Sequence, residues 1–388
     1  MTVQLLSPDD ASGRPQPRLA LIGPSWPWRG GIAVTTTALG AALQRRGALA
    51  AALIPARQYP GWLFPGRDDR DPEACPRLNG ADPCFGVLEP WTWPRLLSRV
   101  RQVNPDALVI PYWTWAWAPV LLALLTQARL PAVAVVHNPA DHDGAGPLSR
   151  LAARMVLGRC TGFLAHARSV AAELERKFPG IPVRVHPLPA LPPPAADRAA
   201  ARARLGLAAE TTAVLCFGLI RPYKGVDVVL EAMALLPAAP HVTLLLAGEP
   251  WGEEGVRVSR LLADSRLRGR VIARLEWVPE SEAGEWFAAA DAAVLPYRSA
   301  TGSAVAAQCL GAGLPVAASR VGGLADVIRD GVNGLLVPPG NPEALAAALL
   351  RLADPVLRRT LARGADAAGT WDSYAEELLG LTRSVCRA

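Results

Sequence analysis

Lysine is nearly absent from this chain: Lys177 and Lys224 are the only two among 40 basic side chains in 388 residues. Arginine stands almost everywhere else, so a retained lysine marks a position of interest. Charge as a whole is thin at 19%, against 51% hydrophobic residues, which excludes a disordered, self-repelling chain and calls for large buried cores. Cysteine is sparse and unpatterned. The six (Cys75, Cys84, Cys160, Cys216, Cys309 and Cys386) form no C-x-x-C pair and no zinc-type spacing. They read as reduced thiols of a cytoplasmic protein, with a Cys75–Cys84 bridge as the alternative. No stretch reads as a signal peptide; residues 1–17 are polar, carry Pro and Gly, and read as a loose tail. Only one uncharged apolar run, 107–128, is long enough to cross a bilayer. Pro111 and Pro119 interrupt it, and it parses instead as a strand over 107–111, a Trp-rich turn and a helix over 119–128.

The net charge of +6 suits anionic ligands such as phosphates. The arginines are scattered and no nucleic-acid-binding motif accompanies them, so nucleic acid is not expected as a partner.

What the chain does contain is alternation. Short apolar runs (18–23, 107–111, 132–136, 162–165) take turns with helical stretches (32–46, 119–128, 168–178). After a proline-rich interruption the alternation restarts, with strands at 213–217, 242–247, 271–274, 292–296, 315–318 and 334–337, and helices at 227–236, 281–290, 303–312 and 342–353. This pattern predicts an α/β chain of two Rossmann-like domains with parallel sheets. The expected division is a flexible tail at 1–17, an amino-terminal domain at 18–186, a linker at 187–197, a carboxyl-terminal domain at 198–368 and a last helix at 369–388. Ligands of open α/β sheets bind beyond the carboxyl ends of the strands, so a site built by such loops from both halves is expected.

Three stretches carry chemistry. Gly30-Gly31 lies between the first strand and the first helix, where glycines let backbone N–H groups approach an anion; a tight turn is the plainer explanation. The run FGLIRPYKGVDVVLEAM (217–233) places Arg221 and Lys224 at the end of a strand, two cations suited to clamping a diphosphate; a solvated surface lysine is the alternative. The run from 296 to 339 begins with a strand, a small-residue loop (299–303) and a helix. Backbone N–H groups of that loop can meet phosphate or sugar oxygens, and Gln308 on the helix can reach a ribose hydroxyl.

The KG stretch, GAGLPV with the GG after it, and DGVNGLLVPPGNPEAL resemble glycosyltransferase family 4, the retaining enzymes of GT-B architecture, over about residues 18–387. ARQYPGWLFPG and VVHNPADHD resemble a bacterial branch of that family acting in surface-glycan assembly. The resemblance implies two Rossmann-like domains facing across a cleft, the amino-terminal one for the acceptor and the other for the nucleotide-sugar, with the last helix returning toward the first domain. It also implies roles. Gly30, Gly31, Thr301, Gly302 and Ser303 would line the donor diphosphate and sugar, Gln308 the ribose, and Trp277 and Val278 the base pocket. Arg221 and Lys224 would neutralise the leaving nucleoside diphosphate, so that no metal and no cofactor beyond a UDP- or GDP-linked donor is needed. His137 would stand beside the transferred sugar, a hydrogen-bonded core histidine being the alternative. Arg57, Tyr59, Trp113 and His142 would face a glycan, lipid-linked or small-molecule acceptor.

One departure stands out. The family's pair of glutamates, E-x7-E, falls on Ala300 and Gln308. Gln308 keeps hydrogen-bonding capacity without charge, whereas Ala300 has none. A non-catalytic nucleotide- or glycan-binding protein is therefore a second hypothesis. A nucleotide-sugar epimerase is a third, disfavoured because Ala300 offers no carboxylate. The cluster Tyr112, Trp113, Trp115 and Trp117 reads either as an acceptor platform or as core. Arg150, Arg154 and Arg159 with Leu151, Met155 and Val156 make a basic amphipathic helix, either a solvated face or a contact to anionic lipid at the inner face of the plasma membrane.

Overall fold

The computed structural model describes residues 16–58, 69–71, 77–139, 146–365 and 369–386. Cys75, Tyr59, His142 and residues 1–15 of the expected tail lie outside these. The chain divides into two compact units, Met1–Leu188 with Gly369–Ala388, and Pro189–Ala368.

The first unit is built on seven parallel strands: β1 (Leu19–Ile22), β2 (Leu49–Arg57), β3 (Asp82–Gly86), β4 (Ala107–Tyr112), β5 (Ala132–Val136), β6 (Gly162–Ala165) and β7 (Val183–Val185). Their order is β3-β2-β1-β4-β5-β6-β7. Every residue of β1, β4, β5 and β6 is buried, the signature of strands covered on both faces. The covering helices are α1 (Gly31–Arg45), α2 (Trp93–Val103), α3 (Ala118–Ala128), α4 (Pro147–Leu157) and α5 (Arg168–Lys177). The long apolar run is thus β4, a 3-10 turn over Trp115–Trp117 and α3, and among the described residues no helix is long and apolar enough to cross a membrane. Tyr112 and Trp117 from the aromatic cluster are core residues, at 2% and 1% exposure.

The second unit holds α6 (Arg198–Arg204), β8 (Thr212–Phe217), α7 (Val226–Leu235), β9 (Val242–Ala247), α8 (Glu254–Leu262), β10 (Val271–Arg274), α9 (Glu280–Ala289), β11 (Ala292–Leu295), α10 (Ala304–Gly311), β12 (Val316–Ser319), α11 (Gly322–Val327), β13 (Gly334–Val337), α12 (Pro342–Ala353) and α13 (Pro355–Arg363). Its six strands are again parallel, ordered β10-β9-β8-β11-β12-β13. In both sheets the first strand of the unit sits beside the fourth (β1 by β4, β8 by β11), so strand order reverses there. Chains leave that seam in opposite directions and open a crevice at the strands' carboxyl ends, the usual ligand position in such sheets.

The chain closes with α14 (Trp371–Val385), which packs on the first unit. A capping box between Thr370 and Ser373 starts it. Arg45 to Asp372 (2.9 Å), Arg46 to Glu376 (2.5 Å) and Arg184 to Glu377 (3.2 Å) pin it to α1 and β7.

Candidate functional site

In the second unit the seam between β8 and β11 brings together the two stretches singled out in the sequence. β8 ends at Phe217, and Gly218 follows at φ +98°, a conformation open to glycine. Arg221 then precedes a single 3-10 turn, Pro222–Lys224, and Gly225 at φ +65° reverses the chain into α7. A side chain on Gly225 would strike the carbonyl of Pro296, the residue after β11, at 2.1 Å. A side chain on Gly218 would come within 3.2 Å of the Lys224 Nζ and 3.4 Å of Val305 on α10. Two glycines therefore let the cation-bearing loop lie directly against the small-residue loop.

The cations are held from behind. The guanidinium of Arg221 lies 4.9 Å from the Trp251 ring centre and 5.9 Å from that of Tyr223, and the Lys224 ammonium lies 5.6 Å from the Tyr297 ring. Burial, with Arg221 alongside, pushes the Lys224 pKa down to about 8. An anion placed against the two cations would work against that shift, because it favours the charged form of Lys224.

Asp227 and Arg298, which the sequence did not single out, fix this loop. Arg298 donates from both terminal nitrogens to Asp227 (2.8 and 2.7 Å), from its Nη1 to the Pro222 carbonyl (3.1 Å), and from its backbone N–H to the Tyr223 carbonyl (2.7 Å). Arg257 donates to the same carboxylate at 2.5 Å. Burial works to raise the Asp227 pKa, but the two guanidiniums outweigh it and hold the carboxyl below its usual value. Two residues 71 apart in the chain, each unremarkable alone, give no sequence signal that they meet.

Beyond β11, Ala300 to Ser303 form the loop before α10, an eight-residue helix whose first N–H groups it presents. Ser303 caps that helix by accepting from the Ala306 N–H (3.1 Å), so its side chain is occupied in holding the helix start. Gln308 is half-buried one turn further on, while Ala300 is 9% exposed and packs in the core. The Gly322-Gly323 pair after β12 presses on this loop from below: a side chain on Gly322 would meet the Ala300 carbonyl at 1.8 Å, and the Gly323 N–H donates to that carbonyl at 3.1 Å. Trp277 and Val278 follow β10, two strands away from β8; Val278 is core and Trp277 half-buried.

In the first unit, Gly30 (φ +102°) and Gly31 stand at the start of α1, and no atom of the described residues would lie within 4 Å of a side chain added to either. They follow β1, at the seam with β4. Gly23, just after β1, lies so close to Pro111 of β4 that a side chain would sit 2.4 Å from its ring. His137 follows β5, its N–H donating to the Tyr112 carbonyl (2.8 Å). It is 8% exposed, and its ring centre lies 4.6 Å from that of the buried His166, which in turn stacks near Tyr374 of α14 at 5.9 Å. Burial first, and His166 second, lower the His137 pKa well below its ordinary value; burial takes His166 to about 4. His137 is thus a neutral hydrogen-bonding group at pH 7. A small cavity lined by Thr35, Thr36, His137, Trp371 and Tyr374 lies beside it. The parts played there by His166, Trp371 and Tyr374 were not legible in the sequence, since residues from β6 and the last helix reach His137 only through the fold.

Of the acceptor-side candidates, Arg57 and Trp113 fall among the described residues. Arg57 ends β2 and is paired with Glu89 (2.8 Å), and Trp113 is half-buried with its ring 4.7 Å from Trp117.

Comparison with known proteins matches this division of the chain. Residues 29–189 match the family described as Glycosyltransferase Family 4, and residues 211–354 match Glycosyl transferases group 1. A D-inositol 3-phosphate glycosyltransferase of Streptomyces bingchenggensis is 34% identical over 290 residues, covering 68% of this chain and 63% of the relative. The chain thus spans less than two thirds of that relative's length. Among solved structures, sucrose-phosphate synthase from Thermosynechococcus elongatus shares the fold at a TM-score of 0.73 and 21% identity, over 95% of this chain and 98% of the other. HepE of Anabaena, in complex with UDP-glucose, shares it at 0.68 and 17%, over 95% and 98%. Each half of the chain thus matches a glycosyltransferase domain, and the two-domain GT-B fold is shared along nearly its whole length.

Proposed function

We propose that this protein is a retaining, metal-independent hexosyltransferase that moves a sugar from a UDP- or GDP-linked donor to a glycan or glycoconjugate acceptor. The observation that carries the proposal is the pairing of Arg221 and Lys224 over the β8–β11 seam, opposite the start of α10. As the glycosidic bond to the donor breaks, negative charge grows on the departing diphosphate. Two fixed cations and the N–H groups of a helix start stabilise charge at that point, and stabilisation is largest where the charge is newly formed. Arg221 and Lys224 perform the neutralisation often assigned to a divalent ion. In the first unit, Gly30 and Gly31 offer backbone N–H groups to a donor diphosphate, and neutral His137 offers a hydrogen bond to a sugar hydroxyl. Gln308 contacts the ribose, and the stretch around Trp277 and Val278 contacts the base. The Anabaena relative's complex with UDP-glucose supports a uridine donor, and the curated relatives' acceptor, D-inositol 3-phosphate, supports a polyhydroxylated acceptor.

Ala300 keeps a second reading in play, a protein that binds donors without turning them over. A thermal-shift panel of UDP, GDP, ADP and dTDP in EDTA tests the first step. One nucleoside diphosphate is expected to raise the melting point, by roughly 2.7 kcal/mol of added stability at a hundredfold excess over its dissociation constant. No shift with any of the four would remove the donor-binding premise on which both readings stand.

A further inference from the structure

Helix α4 has an outward face that the donor chemistry leaves unused. Its buried side is formed by Ser149, Ala153, Val156 and Leu157. On the opposite side Leu148, Leu151 and Met155 stand 64%, 54% and 40% exposed. Their spacing of three and four residues puts them in one stripe, roughly 10 Å long at 1.5 Å per residue. Arg150 and Arg154 are exposed along one edge of that stripe, and Arg159 follows the helix with its Nη1 on the Met155 carbonyl at 2.8 Å. Neither α4 nor α3 behind it carries an acidic residue. The 3-10 turn that packs against α4 adds Trp115, 46% exposed. A soluble helix ordinarily turns charge, not three large apolar side chains, to water.

We infer that α4 is a membrane-docking face, which inserts Leu148, Leu151 and Met155 among the acyl chains of an anionic bilayer while Arg150, Arg154 and Arg159 meet lipid phosphates. Charge complementarity commits the face to an anionic surface, since among the described residues the exposed charges on it are all positive. Its shape favours lipid over protein. A stable protein interface engages about 20 or more residues per side in complementary relief, whereas this is a convex ridge of a few side chains. A fluid interface accepts such a ridge without a matching groove, arginine stems bury beside the apolar stripe with their heads at phosphate level, and tryptophan favours the same depth. The inference does not depend on the identity of the donor.

The test is flotation of the full chain with vesicles of phosphatidylcholine alone or with 30% phosphatidylglycerol (about one anionic lipid in three, enough to give a negative surface). The protein is expected to float with the anionic vesicles and not the neutral ones, and to be released as salt rises. Arg150→Gln with Arg154→Gln should lower partitioning on the order of 30-fold, taking about fivefold per arginine near an anionic surface. Leu148→Ser with Leu151→Ser and Met155→Ser should abolish it. All these side chains are exposed, so unchanged melting temperatures will show that the variants fold. No flotation of the wild type, or flotation that both variant sets retain, would overturn the inference. So would a concentration-dependent dimer that the serine variant dissolves, since a second copy would then cover the face.

Discussion

Lys224→Met is expected to leave a folded protein that melts no lower than the wild type yet has lost nearly all donor chemistry. The two effects share a cause. With no anion bound, folding forces the ammonium into a half-buried place beside Arg221, which takes its pKa down to about 8. The unfolded chain keeps that proton to about 10.5, so between about 8 and 10.5 the unfolded state binds more protons. The cost of burying the charge is therefore fully present below about 8 and fades as pH rises toward 10.5. Methionine matches the length and removes the charge, so the variant's melting temperature should exceed the wild type's most at neutral pH and converge with it at high pH. Turnover should fall by about 10²-fold or more, as for loss of a donor to developing negative charge. In the wild type, affinity for the nucleoside diphosphate should weaken as pH rises through about 8, the point at which the free site loses its lysine charge. A variant that melts lower and turns over normally would show Lys224 to be a structural residue.

Gly322→Ala is expected to be the most damaging small substitution near the site. Its Cβ would lie 1.8 Å from the Ala300 carbonyl oxygen, and Gly322 sits at φ +37°. The loop before α10 must move or the backbone of α11 must. Strain of this kind costs about 3 kcal/mol or more, roughly 6–12 °C in melting temperature for a unit of this size. Donor binding should fall with it, because Thr301 to Ser303 shift together. Gly331→Ala is the control: it has φ +74° but nothing within 4 Å, and should cost only about 1–2 kcal/mol. Equal melting of the two variants would contradict the close packing of this loop.

Most strands that could be read from sequence are buried on both faces, the half-buried β10 being an exception. β4, β5, β8, β9 and β11 are continuous apolar runs, and the sheet requires that of interior parallel strands. β2 and β3 escaped because they break the pattern. β2 carries Pro55, which sits at a register shift against β3, and β3 begins Asp82-Pro83 at the sheet edge, where a missing N–H is tolerated. The short helices α8 and α13 have strongly polar outer faces and few buried residues, Val258 in one and Leu361 in the other. At the site, glycines and lone cations are legible because backbone approach and retained lysine leave marks in composition. The Asp227–Arg298 brace and the His166–Tyr374 backing of His137 are not legible, because each joins residues from separate elements through packing alone.

The most direct test of the central claim is release of nucleoside diphosphate from a panel of UDP- and GDP-hexoses in EDTA, with a bacterial glycolipid and polyol-phosphate fraction as acceptor. The account predicts release from one donor, unaffected by EDTA and reduced by about 10²-fold in Lys224→Met. A donor that binds yet is never cleaved, with or without acceptor, would contradict it and establish the protein as a non-catalytic binder.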